Sequence, residues 1–88
     1  MRTIYLESFE RDIRKLKEKK IKTALLELID YMKESGSLIE IKSLKKIKGE
    51  KKFYRIRVGD YRLGVKIEGE TVTFIRFLHR KDIYRYFP

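Results

Sequence analysis

The chain of 88 residues has no cysteine and no tryptophan, a single histidine, His79, and a single proline, Pro88. Without cysteine there is no disulfide framework, no thiolate metal site and no thiol nucleophile, which fits a reducing compartment. No apolar run approaches the roughly 20 residues that span a bilayer, and the N-terminal segment lacks a signal-peptide profile. A cytoplasmic location without membrane contact is therefore expected. Acidic side chains are scarce where basic ones are dense. Residues 41–66 hold ten of the 23 lysines and arginines against only Glu50 and Asp60, and so carry most of the net charge of +10. The lysine and glutamate enrichment of thermophilic proteins adds both signs and would not give this imbalance. Such a segment points to a polyanionic partner. Two-metal phosphoryl chemistry needs several convergent carboxylates, which the segment does not supply. No metal or other cofactor is expected.

What is present suits one small domain over residues 1–88, with 42% hydrophobic residues to fill a core. Arg2 to Leu6 reads as a short strand. Ser8 is a candidate N-cap, followed by Glu10 and Asp12, and Phe9, Ile13 and Leu16 mark a helical face. After a joint at Lys17–Lys20, the stripe Ile21, Ala24, Leu25, Leu28, Ile29 and Met32 predicts a second helix, stopped by Gly36. Residues 37–52 form a basic connector in which Leu44 and Ile47 turn inward.

Alternation of period two then takes over. Tyr54, Ile56 and Val58 oppose Arg55 and Arg57; beyond Gly59-Asp60, Tyr61, Leu63, Val65 and Ile67 oppose Arg62, Gly64 and Lys66. Gly-Asp between such runs predicts a two-residue hairpin, and glycine in first place suits a type II′ turn. Arg57 then faces Arg62 and Arg55 faces Gly64. One face is continuously apolar; the other gathers like charges, which destabilises a sheet in isolation. A third strand is expected near 71–78. A two-residue turn before it would put Val72 and Phe74 on the core face. A three-residue turn would put Ile75 and Phe77 there, with Arg76 opposite Arg62. The second is preferred because it leaves Arg76 on the basic face, although a one-residue slip reverses every side chain. A short helix or turn over 82–87 carries Tyr84 and Tyr86. The fold class is α+β: β-α-α-β-β-β plus a short C-terminal element, a small antiparallel sheet with two N-terminal helices on one face and an arginine face left open.

The blocks Leu44-Lys45-Lys46-Ile47-Lys48-Gly49, Tyr54-Arg55-Ile56-Arg57-Val58-Gly59-Asp60-Tyr61-Arg62 and His79-Arg80-Lys81-Asp82-Ile83-Tyr84 resemble the RelE/ParE superfamily of type II toxins, and RelE-type mRNA interferases most. The similarity covers nearly the whole chain. It implies a ribosome-dependent endonuclease that cuts mRNA in the A site without metal, using the RNA 2′-OH, and a cognate RelB-like antitoxin. It also implies Arg62, Arg80 and Tyr84 as catalytic residues and Arg55 and Arg57 as RNA-binding ones. The charge pattern adds Lys45, Lys46, Lys48, Lys51, Lys52 and Arg76 to the RNA-binding set. The C-terminal element is shorter than the family's, so Tyr86 could take the role given to Tyr84. Two alternatives stay open: a gyrase inhibitor of the ParE branch, which usually lacks this arginine–tyrosine set, and a noncatalytic RNA-binding module.

The implied residues suit the chemistry. Guanidinium forks match phosphate oxygens and keep their charge, as stabilising a phosphorane requires. His79 is the one side chain with an intrinsic pKa near neutrality, but strict alternation puts it on the parity opposite Arg76 and Arg80, which favours a structural role. Tyr84 could move a proton or stack on an unpaired base.

Overall fold

The alternating segments pair into one sheet, and the two apolar helical stripes close over one of its faces. The computed structural model describes residues 1–38 and 40–88; residue 39, within the expected connector, lies outside them. The described elements are β1 (Arg2–Tyr5), α1 (Glu7–Lys15), α2 (Lys19–Glu34), β2 (Lys45–Lys46), β3 (Phe53–Val58), β4 (Tyr61–Glu68), β5 (Thr71–His79) and α3 (Arg80–Tyr86). Strand order is β1-β5-β4-β3-β2. β1 runs parallel to β5, from Arg2 opposite Thr71 to Tyr5 opposite Phe74. The α+β class holds, with a mixed sheet in place of a purely antiparallel one. β1 and β2 occupy opposite edges, so the chain between them must cross the sheet, and α1 and α2 make that crossing.

The β3–β4 hairpin has the expected register, with Val58 opposite Tyr61, Arg57 opposite Arg62 and Arg55 opposite Gly64. Gly59 has φ +59°, while Asp60 is not in the left-handed region, as a type II′ turn requires. The β4–β5 turn differs from the preferred expectation. It has two residues, Gly69 and Glu70, with Glu68 opposite Thr71 and Val65 opposite Phe74. Past Phe74 the register shifts, so that Gly64 faces Arg76, Leu63 faces Phe77 and Arg62 faces Leu78. Ile75 is the extra residue of a β-bulge. One inserted residue reverses the parity of everything after it. Val72, Phe74 and Phe77 are consequently all buried, and Arg76 still lies on the arginine face, opposite Gly64 rather than Arg62.

The main core lies between the helices and the sheet. Phe9, Leu25, Ile29 and Met32 pack on Ile56, Leu63, Val65, Val72, Phe74 and Phe77, and the Phe74 ring stacks on Tyr5 at 5.0 Å. Ser8 is not an N-cap: α1 begins at Glu7 after an extended Leu6, without a side-chain cap. Its hydroxyl donates instead to the Ile75 carbonyl at 2.6 Å, and Leu6 N–H donates to the Phe74 carbonyl at 3.0 Å. Where β1 ends, the start of α1 takes over the hydrogen-bonding edge of β5. α2 stops at Glu34 with Ser35 extended, so Gly36 supplies no left-handed cap.

The arginine face is not fully open. α3 lies on it, with Ile83 and Phe87 buried. Phe87 sits over Gly64, where a Cβ would come within 2.7 Å of its ring, and meets Phe53 edge-on at 5.9 Å. Gly64 is thus the gap through which the short C-terminal element docks. The start of α3 is pinned by His79, whose Nδ1 accepts from Lys81 N–H at 3.2 Å, and by Arg80 N–H donating to the Asp60 carbonyl at 2.8 Å.

Candidate nucleic-acid interface

Beside α3, the uncovered part of the arginine face forms a cleft of about 300 Å³ lined by Lys42, Ser43, Lys45, Arg55, Arg57, Arg62 and Tyr84. Strand alternation places Arg55 and Arg57 on it from β3 and Arg62 from β4. Lys45 comes from β2, where it faces Arg55. Just before the start of β2, Ser43 continues the ladder with its side chain. Its hydroxyl accepts from Arg57 N–H at 3.1 Å and donates to the Arg57 carbonyl at 3.3 Å, which holds neighbouring Lys42 at the cleft. Lys42 and Ser43 were missed in the sequence, because only the position of β2 shows which connector residues turn toward the arginines.

The crowding of charge is partly relieved within the hairpin. Arg62 Nη1 donates to the carbonyls of Gly59 at 3.1 Å and Tyr61 at 2.9 Å, curling over the turn and away from a direct clash with Arg57. The Arg55 guanidinium lies 4.4 Å from the centroid of the Tyr84 ring, a cation–π contact worth about 0.5–1 kcal/mol at an exposed site. Tyr84 is seated by this contact yet remains 66% exposed. Among the described residues the ion pairs involve only Lys52, Lys66 and Arg76 as cations. Among the described residues none of the five cleft cations has a carboxylate partner. No carboxylate lines the cleft, and among the described residues no three His, Cys, Asp or Glu side chains gather in one group.

The structure therefore brings together Arg62, Tyr84, Arg55, Arg57 and Lys45 from the sequence-derived set. The rest lie elsewhere. Arg80 is exposed at the first turn of α3 and does not line the cleft. Lys46, Lys48 and Lys51 surround a separate shallow hollow at the β2–β3 turn. Lys52 has φ +73° and binds Glu68 at 2.8 Å, where Lys66 also reaches at 3.2 Å; hydrogen bonds from the two lysines hold the Glu68 carboxyl below its usual range. Arg76 forms a forked pair with Asp12. His79 caps α3 and meets the Tyr61 ring edge-on at 5.5 Å. Tyr86, 52% exposed, lies on the Arg76 side of α3 rather than at the cleft.

The sequence and the fold have known counterparts. Residues 4–84 match the family described as ParE toxin of type II toxin–antitoxin system, parDE. Over the full length of both sequences the chain is 41% identical to Toxin RelE3 of Methanocaldococcus jannaschii. It superposes on a chain of the RelB-RelE antitoxin–toxin complex from Methanococcus jannaschii with a TM-score of 0.84 and 39% identity, covering 97% of this chain and 99% of that one. A chain of the archaeal RelE-RelB complex from Pyrococcus horikoshii shares the fold, with a TM-score of 0.72 at 20% identity over 90% of this chain and 93% of that one. The chain belongs to the RelE/ParE superfamily of toxins from type II toxin–antitoxin systems.

Proposed function

We propose that this toxin is a ribosome-dependent endoribonuclease that cuts mRNA without metal and is silenced by a RelB-like antitoxin. The observation that carries the reading is the cleft: five cations without carboxylate partners and an exposed tyrosine seated on one of them. A cleft of that charge attracts a phosphate backbone. Arg62 and Arg57, opposed across the hairpin, can hold non-bridging oxygens and take up charge as the 2′-oxygen attacks phosphorus and the bond to the 5′-oxygen breaks. Tyr84 offers a hydroxyl for proton movement or a ring for stacking on a base. Histidine and carboxylates are missing from the lining, so little general-base power near neutral pH is built in. Such a site gains from a substrate already held in line for attack, because positioning alone can supply about 7–11 kcal/mol of a barrier. An mRNA fixed on a ribosome meets that need, and a cytoplasmic location follows from the target. The antitoxin partner is supported by the RelB complexes of the similar chains.

The family description that matches residues 4–84 carries the ParE name, which makes gyrase binding the rival. Primer extension on mRNA incubated with toxin, with and without translating ribosomes, separates the two when run beside a gyrase supercoiling assay. Cuts that require ribosomes, with supercoiling unaffected, are expected. Intact mRNA together with blocked supercoiling would transfer the protein to the gyrase-directed class.

A further inference from the structure

A carboxylate in a protein interior needs a reason. Asp12 is the one buried charged side chain among the described residues. Its Oδ2 accepts from Arg76 Nε at 2.8 Å and from Phe77 N–H at 2.9 Å, and its Oδ1 accepts from Arg76 Nη2 at 3.0 Å. A neutral asparagine could satisfy the backbone N–H alone. The fork onto a guanidinium is what calls for aspartate, so the buried charge serves Arg76.

Arg76 has a second neighbour on the other side of the sheet. Its guanidinium lies 5.5 Å from the centroid of the Tyr86 ring. Asp12 belongs to α1, Tyr86 to α3, and Arg76 to β5 between them. Lys45, Arg55, Gly64 and Arg76 follow one another in a row across the strands. α3 lies over the glycine of that row, with Phe87 in the gap. A tyrosine on either side rests on an arginine: Tyr84 on Arg55, Tyr86 on Arg76. Arg55 has no carboxylate partner among the described residues, whereas Arg76 is fixed by two hydrogen bonds to a buried group.

We propose that Arg76, fixed by Asp12, is a positioning residue and not a phosphate ligand: through Tyr86 it sets where α3 holds Tyr84 over the cleft. The inference rests on the reading of Tyr84 as an RNA-facing residue of a nuclease. Asp12 matches the charge of Arg76, which therefore contributes little attraction for a polyanion, and the same fork holds its guanidinium more firmly protonated than usual. Displacing a reacting group by about 1 Å can cost up to 10² in rate.

The test has two arms on the full chain. In the free toxin, NMR follows the ring resonances of Tyr84. Arg76→Ala and Tyr86→Ala should both move them in the same direction, and the double variant should add little, as coupled residues do. On ribosome-bound mRNA, each variant should slow single-turnover cleavage about tenfold with RNA affinity and its salt dependence unchanged. Because Arg76→Ala strands a buried carboxylate and can unfold the chain, Tyr86→Ala, at an exposed position, is the deciding variant. Unmoved Tyr84 resonances in Tyr86→Ala overturn the proposal. A weaker affinity in folded Arg76→Ala, with the salt slope reduced by about 1, overturns it as well by making Arg76 a phosphate ligand. Wild-type toxin that cuts nothing removes the nuclease reading, and the ring resonances then decide the positioning role by themselves.

Discussion

Arg62 and Tyr84 sit in the cleft for different reasons. Arg62 is placed by strand parity and held by two carbonyls of its own hairpin; Tyr84 is placed by a helix that docks from the far end of the chain. Arg62→Ala should therefore lower single-turnover cleavage by about 10²–10³, the usual loss when a donor to developing charge is removed, with little change in the melting temperature. Arg62→Lys should restore only part of it, since a single ammonium cannot reproduce the fork. Tyr84→Phe should slow cleavage more than Tyr86→Phe, because only the first hydroxyl lies at the cleft; equal effects would place the chemistry on neither. At this scale the sequence was clearest where alternation is strict: Arg55, Arg57 and Arg62 could be assigned to one face by counting. Arg76 could not be assigned a partner in this way. Its fork to Asp12 spans 64 positions and depends on a bulge that no local pattern announces.

Among the elements, α3 decides whether the cleft is complete. It is short, Arg80–Tyr86, and too short to be stable by itself; burial of Ile83 and Phe87 holds it. Gly64→Ala should push Phe87 off the sheet, destabilise the protein by about 1–3 kcal/mol as overpacking does, and carry Tyr84 away from Arg55. Urea unfolding would report the first effect and the cleavage rate the second. A variant with wild-type stability and rate would show that Phe87 can move aside freely. The register of β5 was the element least legible in the sequence. Two turn lengths each explained half of the hydrophobic pattern, Val72 with Phe74 or Ile75 with Phe77. The molecule combines features of both, with a two-residue turn followed by an extra residue at Ile75. Ser8 misled for a related reason: a serine immediately ahead of a helical stripe looks like a cap, but the edge of β5 left open past the end of β1 was the stronger claimant for its hydroxyl.

For the whole molecule, charge is distributed by face. The helical side is nearly balanced and the hairpin side is not, and that much was plain from composition alone. Which lysines belong to the cleft was not, because Lys46, Lys48 and Lys51 follow the same basic run yet lie round the β2–β3 turn. If the five cleft cations each meet a phosphate, the slope of log affinity against log salt for single-stranded RNA should be about −3.5. Charge reversal at Lys42 and Lys45 should flatten it more than reversal at Lys48 and Lys51, and a filter-binding titration would rank them. The proposed chemistry is cleavage of ribosome-bound mRNA in this cleft by the RNA's own 2′-hydroxyl. The most direct measurement compares single-turnover cleavage of two ribosome-bound messages, one entirely RNA and one with a single 2′-deoxynucleotide on the 5′ side of the cleaved bond. Cleavage of the first is expected, and none at that bond in the second. Equal cleavage of both would contradict it, since the nucleophile would then have to come from elsewhere.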